Sequence, residues 1–217
     1  MTGASGPDTS SDPLAPFLRE QGFVVLDGGL ATELEVRGHD LRDPLWSAKV
    51  LLDDPETVRA VHTAYLEAGA DCIATVTYQA SVPGFAARGL GRDEGLQQLR
   101  RAVALAVEAR DAFWADPDHR AGRLRPLVVA SVGPYGAYLA DGSEYRGDYG
   151  LSRAELMDFH GERWRVLAGA GADLMACETI PSAVEAEVLL ALLEESDGNW
   201  AWISFSCRGG DRISDGS

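Results

Sequence analysis

The chain has almost no lysine. Lys49 is the single one among 217 residues, so the basic side chains are otherwise arginine, and 34 acidic residues outweigh 19 basic ones for a formal charge of −15. That balance argues against nucleic acid or an anionic membrane surface as a partner, because both draw basic patches. Cysteine is equally sparse. Cys72, Cys177 and Cys207 are too few and too scattered for a disulfide framework, and free thiols suit a reducing compartment, so the expected location is cytoplasmic. No apolar run approaches the roughly 18 residues that span a bilayer. Residues 1–16 lack the basic and apolar regions of a secretory signal and read as a flexible tail ahead of a single domain over 17–217.

What is present is a strand–helix alternation. Phe23 to Leu26 is a short apolar run closed by Asp27-Gly28-Gly29, a buried strand ending in a turn. Asp54-Pro55 opens a helix to about Ala68, with Asp54 as its cap. Further strands are expected at Asp71–Thr77, Leu127–Val132, Asp173–Cys177 and Trp200–Phe205. A long helix is expected over Arg92–Trp114, with a polar loop at Pro117–Arg125 and another loop from Tyr135 to Gly150. Ser152-x-x-Glu155 and Ser182-x-x-Glu185 read as capping boxes starting helices that end near Ala168 and Glu195. Ala-Gly-Ala-Asp occurs at 68–71 and again at 170–173, each time between a helix end and a strand start.

This alternation calls for an α/β fold with a parallel sheet. No Gly-x-Gly-x-x-Gly follows the first strand, which weakens a dinucleotide-binding open sheet. The expected architecture is therefore a (β/α)8 TIM-type barrel, of which about the first five βα units are present and the C-terminal units are not.

In such a barrel chemistry sits where strands end. Two carboxylates occupy such positions, Asp27 and Glu178. Gly28 and Gly29 let backbone N–H groups approach an anion closely. A carboxylate for an ammonium, beside amides for a carboxylate, suits an amino acid. Plainer readings stand beside this one: Asp-Gly-Gly is also an ordinary turn, and Glu178 precedes a helix N-terminus that favours acids. Cys72 and Cys177 lie in apolar strands as core residues, and the four histidines show no metal-ligand spacing. A Schiff-base aldolase needs a strand-end lysine, whereas Lys49 is expected in the loop before the first helix. A glycosidase would need Asp27 and Glu178 about 5–10 Å apart across a sugar, and dense strand-end tryptophans are missing.

The stretch Val25 to Gly38 (VLDGGLATELEVRG) resembles the opening of the homocysteine S-methyltransferase family. So do Asp43 to Lys49 (DPLWSAK), Thr77 to Ser81 (TYQAS), Ser131 to Gly150, Ala176 to Pro181 (ACETIP) and Ser204 to Cys207 (SFSC). The match runs in order from about residue 22 to the end. Tyr78-Gln79 places the chain nearer the S-methylmethionine-using branch than the betaine-using one.

The resemblance implies a barrel enzyme of methionine biosynthesis that moves a methyl group from a sulfonium donor, S-methylmethionine or S-adenosylmethionine, to the zinc-bound thiolate of homocysteine. It implies substrate binding by Asp27, Gly28, Gly29 and Glu178, with Thr75 and Thr77 facing the same pocket. The family's zinc is held by three cysteines in Gly-x-Asn-Cys and Gly-Gly-Cys-Cys contexts. Neither motif occurs here; Cys177 and Cys207 lack the matching context, so the ligands are expected beyond Ser217. The other reading this leaves is a truncated or split barrel that keeps the amino-acid pocket and needs a C-terminal partner for zinc and catalysis. The loop from Tyr135 to Tyr149 is the expected cover of the donor site.

Overall fold

The structure, a computed structural model, describes residues 12–42 and 45–217. Its helices are α1 (Ala15–Glu20), α2 (Leu30–Val36), α3 (Ser47–Asp53), α4 (Pro55–Glu67), α5 (Val82–Ala87), α6 (Arg92–Ala115), α7 (Tyr135–Leu139), α8 (Arg153–Ala168) and α9 (Ala183–Glu194). The strands β1 (Cys72–Ala74), β2 (Leu127–Val132), β3 (Leu174–Ile180) and β4 (Ala201–Phe205) form one parallel sheet in the order β1-β2-β3-β4. That order never reverses, unlike a doubly wound sheet with its switch point. The helices follow suit, α4 packing on α6, α6 on α8 and α8 on α9. The described residues thus form an open α/β arc, and no closure into an eight-stranded barrel is seen among them. None of their helices is long and apolar enough to cross a membrane.

Several expectations need correction. The first strand is reduced to a single parallel bridge between Leu26 and Cys72. The ladder bonds from Cys72 N–H to the Val25 carbonyl (3.1 Å) and from Asp27 N–H to the Cys72 carbonyl (2.9 Å) form, but the pairing stops there because Ala74 N–H donates to the Asp27 side chain at 2.8 Å and not to a backbone carbonyl. β1 is shorter than expected, because Thr77 N–H turns back onto the Thr75 carbonyl at 2.8 Å. Residues 1–11 of the expected tail lie outside the described residues, as do Asp43 and Pro44. Ala15 and Pro16, assigned to that tail, instead open α1, and Leu14 and Phe17 pack against the sheet. Lys49 lies within α3, paired with Asp53 at 3.8 Å, not in a loop.

The repeated Ala-Gly-Ala-Asp has a physical explanation. Gly69 and Gly171 take left-handed φ values of 107° and 96° just past the helix ends, where a side chain would be strained. Each following aspartate then clasps one residue of the preceding segment by both its N–H and its carbonyl. Asp173 N–H donates to the Val128 carbonyl at 2.8 Å while its Oδ2 accepts from Val128 N–H at 2.7 Å, as Asp71 does with Val25. The motif sets the register of successive strands.

Alternation along the strands decides which residues face the helices. Ile73, Val128, Ala130, Val132, Met175 and Cys177 pack among helix residues, whereas Cys72, Val129, Leu174 and Ala176 form a second cluster with Phe17. Both faces are buried, so these strands read as continuous apolar runs. The period of two carries that second face on to Ser131 in β2 and Glu178 in β3.

One buried group is out of keeping with its surroundings. His62 in α4 is fully buried, and neither ring nitrogen has a partner. Burial pushes its pKa down to about 4. The folded state therefore favours the neutral ring, so stability is intact above the unfolded value near 6.5 and falls as pH drops from there toward 4, by about 3 kcal/mol in all. Replacing His62 with Leu should raise stability by about 1–3 kcal/mol and flatten that acid limb in urea titrations at stepped pH. An unchanged limb would show that His62 does not control it.

Candidate amino-acid site

Asp27 follows the Leu26 bridge, and its Oδ2 accepts from Ala74 N–H at 2.8 Å, fixing the carboxylate at the end of β1. Glu178 sits near the end of β3 at an irregularity where the pairing with β4 shifts between Cys177 and Ile180. The next residue, Thr179, has a φ of +61°, which is costly for a β-branched side chain and is held here by the surrounding fold. Together with Gly28, Gly29, Thr75 and Ser131, the two carboxylates line a cavity of about 520 Å³. Trp46, Tyr78, Tyr145 and Trp202 supply aromatic wall.

The electrostatics are unusual for two acids. Burial, followed by repulsion from Glu178 and offset in part by the Ala74 N–H, pushes the Asp27 pKa up to about 7. Burial also raises that of Glu178, with hydrogen bonding to Ser131 pulling against it. The Glu178 Oε1 atom is buried and has no hydrogen-bond partner. Such an oxygen is costly to bury and is free to accept from a donor that enters the cavity.

The sequence-predicted residues separate into three groups. Asp27, Gly28, Gly29 and Glu178 come together on the cavity wall. Among the described residues Gly28 and Gly29 N–H make no hydrogen bond, and Tyr65 steadies the turn by donating to the Gly29 carbonyl at 3.2 Å. Thr75 lines the cavity, but its hydroxyl is engaged: it accepts from Ser131 N–H at 3.1 Å and contacts Thr77 Oγ1 at 2.6 Å. Since Thr77 Oγ1 donates to the Ser131 carbonyl at 2.6 Å, the Thr75 proton goes to Thr77. Thr77 itself is wholly buried behind the wall and does not line the cavity, contrary to expectation.

The loop from Tyr135 to Tyr149 is likewise more ordered than expected, containing α7 and a 3₁₀ turn over Ser143–Tyr145. Its Tyr145 reaches this cavity, and Ala140, Gly142, Glu144 and Tyr145 line a second one beside it. Tyr135 packs among Tyr138, Tyr149 and Phe159 instead.

The Ser182-x-x-Glu185 capping box is absent. Glu185 turns inward, fully buried, and its Oε1 accepts from Tyr135 N–H (2.6 Å) and His160 Nε2 (2.8 Å), its Oε2 from the Tyr149 hydroxyl (3.0 Å). Burial lowers the pKa of His160, so the ring is neutral with its proton on Nε2, and Nδ1 accepts from Arg163 Nη2 at 3.1 Å. Arg163 also donates to the Gly133 and Ala80 carbonyls at 2.6 and 3.2 Å. This network and Trp46 (φ +47°) are the features of the site that sequence reasoning missed. Glu185 was hidden by a spacing that fits a cap equally well. Trp46 was visible only as part of the DPLWSAK stretch.

No group of three or more potential metal ligands gathers among the described residues. The Cys72 and Cys177 thiols are both pushed up to about 12, chiefly by burial, and Cys177 faces the helix side of the sheet. Cys207 is exposed on the antiparallel bridge to Ile213. The residues described here do not fit a zinc ion.

A family model described as homocysteine S-methyltransferase matches residues 24–217. The chain belongs to the homocysteine S-methyltransferase family. It is 50% identical over 206 residues to homocysteine S-methyltransferase YbgG of Bacillus subtilis, covering 95% of this chain and 65% of that protein. Identity to homocysteine S-methyltransferase 4 of Zea mays is 52% over 222 residues, covering all of this chain and 65% of the plant protein. The chain thus spans 65% of the length of either relative. The metallated crystal structure of the homocysteine methyltransferase MmuM from Escherichia coli superposes with a TM-score of 0.89 at 50% identity, over 94% of this chain and 70% of that one. Its apo form gives 0.77 at 40% identity, over 94% and 67%.

Removing the buried acid behind this site tests its frame. Glu185→Ala should cost about 3–5 kcal/mol in urea unfolding, because it leaves His160, Tyr149 and the Tyr135 N–H without their acceptor beside a buried Arg163. A loss under about 1 kcal/mol would show that the network does not hold the segment carrying Tyr145.

Proposed function

We propose that the chain forms the acceptor-binding part of a homocysteine S-methyltransferase. The reaction joins the sulfur of homocysteine to a methyl carbon while that carbon's bond to a sulfonium sulfur breaks. The bonding pair leaves on a neutral thioether, the acceptor loses its thiol proton, and methionine forms. S-Methylmethionine and S-adenosylmethionine are both donors of this kind. A neutral leaving group needs no acid, so the protein's task is to bring the two sulfurs and the methyl carbon into line.

The observation that carries this reading is the unpartnered Oε1 of Glu178 in a cavity shared with Asp27. Two buried carboxylates with raised pKa values present a site for an ammonium group. In this reading they hold the α-ammonium of homocysteine, and the Gly28 and Gly29 amides receive its carboxylate. Thr75 and Ser131 form part of the wall, and Thr77 supports it from behind. The family match and the similarity to named homocysteine methyltransferases support the same substrate. Only the thiolate attacks effectively, and a free thiol with pKa near 8.5 is mostly protonated at neutral pH. The groups that deprotonate it are not assigned to residues of this chain. A (β/α)8 barrel and a cytoplasmic setting belong to the same proposal.

Asp27→Asn and Glu178→Gln should each weaken homocysteine binding by about 10–100-fold in calorimetric titrations, the loss of one charge-assisted hydrogen bond. Affinities equal to the parent's would remove the carboxylate pair from substrate recognition.

A further inference from the structure

A second cavity, of about 550 Å³, adjoins the first and shares Trp46, Tyr78 and Tyr145 with it. The nonaromatic lining carries one acidic side chain, Glu144, one basic side chain, Arg42, and the amide of Gln79. Gln79 is buried, and its Nε2 donates to the Ala137 carbonyl at 2.9 Å, which orients the amide and leaves Oε1 without a partner. Glu144 Oε2 is also buried and unpartnered. Two acceptors lacking donors, on one cavity, point to a ligand that brings N–H groups.

The turn that carries Glu144 is firmly built. Asp141 Oδ1 accepts from Ser143 N–H at 2.9 Å, and Ser206 Oγ donates to the Glu144 carbonyl at 3.1 Å. Gly136 lies so close beneath that a Cβ there would meet Glu144 N at 2.3 Å. Between the cavities, Trp46 and Tyr78 stand edge to face with centroids 6.4 Å apart. Aromatic faces attract cations that lack N–H donors, which describes a sulfonium. Arg42 is held by Asp40 in a two-pronged pair at 2.8 and 2.9 Å, which compensates its positive charge on the lining.

We propose that Glu144 and Gln79 select the methyl donor by binding its α-ammonium group, so that the donor is an amino-acid sulfonium seated in the second cavity with its sulfonium toward Trp46 and Tyr78. This rests on the methyltransferase reading and adds what that reading leaves open: where the donor binds and which part of it is recognised. A sulfonium acid without the amine, such as dimethylsulfoniopropionate, keeps the aromatic contacts but leaves both acceptors unpaired, and is rejected.

The test is calorimetric titration of the whole chain with S-methylmethionine and with dimethylsulfoniopropionate. The parent should bind S-methylmethionine at least about 10-fold more tightly. Glu144→Gln should lose about 10–100-fold for S-methylmethionine and little for dimethylsulfoniopropionate. Asp27→Asn should keep S-methylmethionine affinity while losing homocysteine. Thermal unfolding of Glu144→Gln, together with retained homocysteine binding, shows that the variant is folded; Gln79→Leu provides a second, independent variant with the same expected loss. Equal binding of the two sulfonium compounds by the parent, an equal loss of both in Glu144→Gln, or loss of S-methylmethionine in Asp27→Asn would overturn the proposal. If homocysteine binds to none of the proteins while the sulfonium discrimination persists, the acceptor reading fails and the donor site stands.

Discussion

Two half-buried carboxylates, Asp27 and Glu178, share one cavity wall, and the architecture around the cavity is arranged to keep them there. Glu178 points into the cavity because β3 alternates from Leu174 through Ala176 on that face. Asp27 is held beside it by a single bridge and by the Ala74 amide. Apolar packing beneath them removes water that would otherwise screen the pair, and each raises the cost of ionising the other. The raised pKa values show that the pair costs stability when both groups are ionised.

The frame around the cavity uses buried polar groups in a different way. Glu185, His160 and Arg163 form a network in which nearly every donor meets an acceptor, and it fastens the start of α7 and the Gly133 and Ala80 carbonyls to α8. Gly133 is required there, since a Cβ would meet the Tyr78 carbonyl at 2.5 Å. The contrast is informative: the largely satisfied network sits behind the wall, while the unpartnered oxygens of Glu178, Gln79 and Glu144 belong to residues that line cavities. The His62 ring nitrogens and Arg163 Nε are the exceptions, unpartnered atoms of residues that line neither.

Much of this was legible in the sequence where local chemistry acts alone. The α4 cap at Asp54, the Ser152–Glu155 capping box and the long α6 follow from residues within a few positions of each other. The positions of Asp27 and Glu178 followed from strand ends. Tertiary choices were not legible. Ala74 gives its N–H to the Asp27 side chain, which leaves the first strand as a bridge. Glu185 satisfies a capping pattern yet is drawn inward by a histidine 25 residues before it. Thr77 shares a motif with Thr75 but points into the wall, because its hydroxyl finds the Ser131 carbonyl. Each of these depends on a partner distant in sequence, which no local spacing encodes.

The central claim is that Asp27, half protonated near neutral pH, gives up its proton to hold an ammonium group. Methionine tests it cleanly, since its sulfur carries no proton. Titrating methionine into the protein at pH 7, in buffers of different ionisation enthalpy, counts the protons released on binding. The account predicts release of about half a proton, from a group with pKa near 7 driven to its ionised form, and none in Asp27→Asn. Binding with no proton release, or the same release in Asp27→Asn, would contradict it.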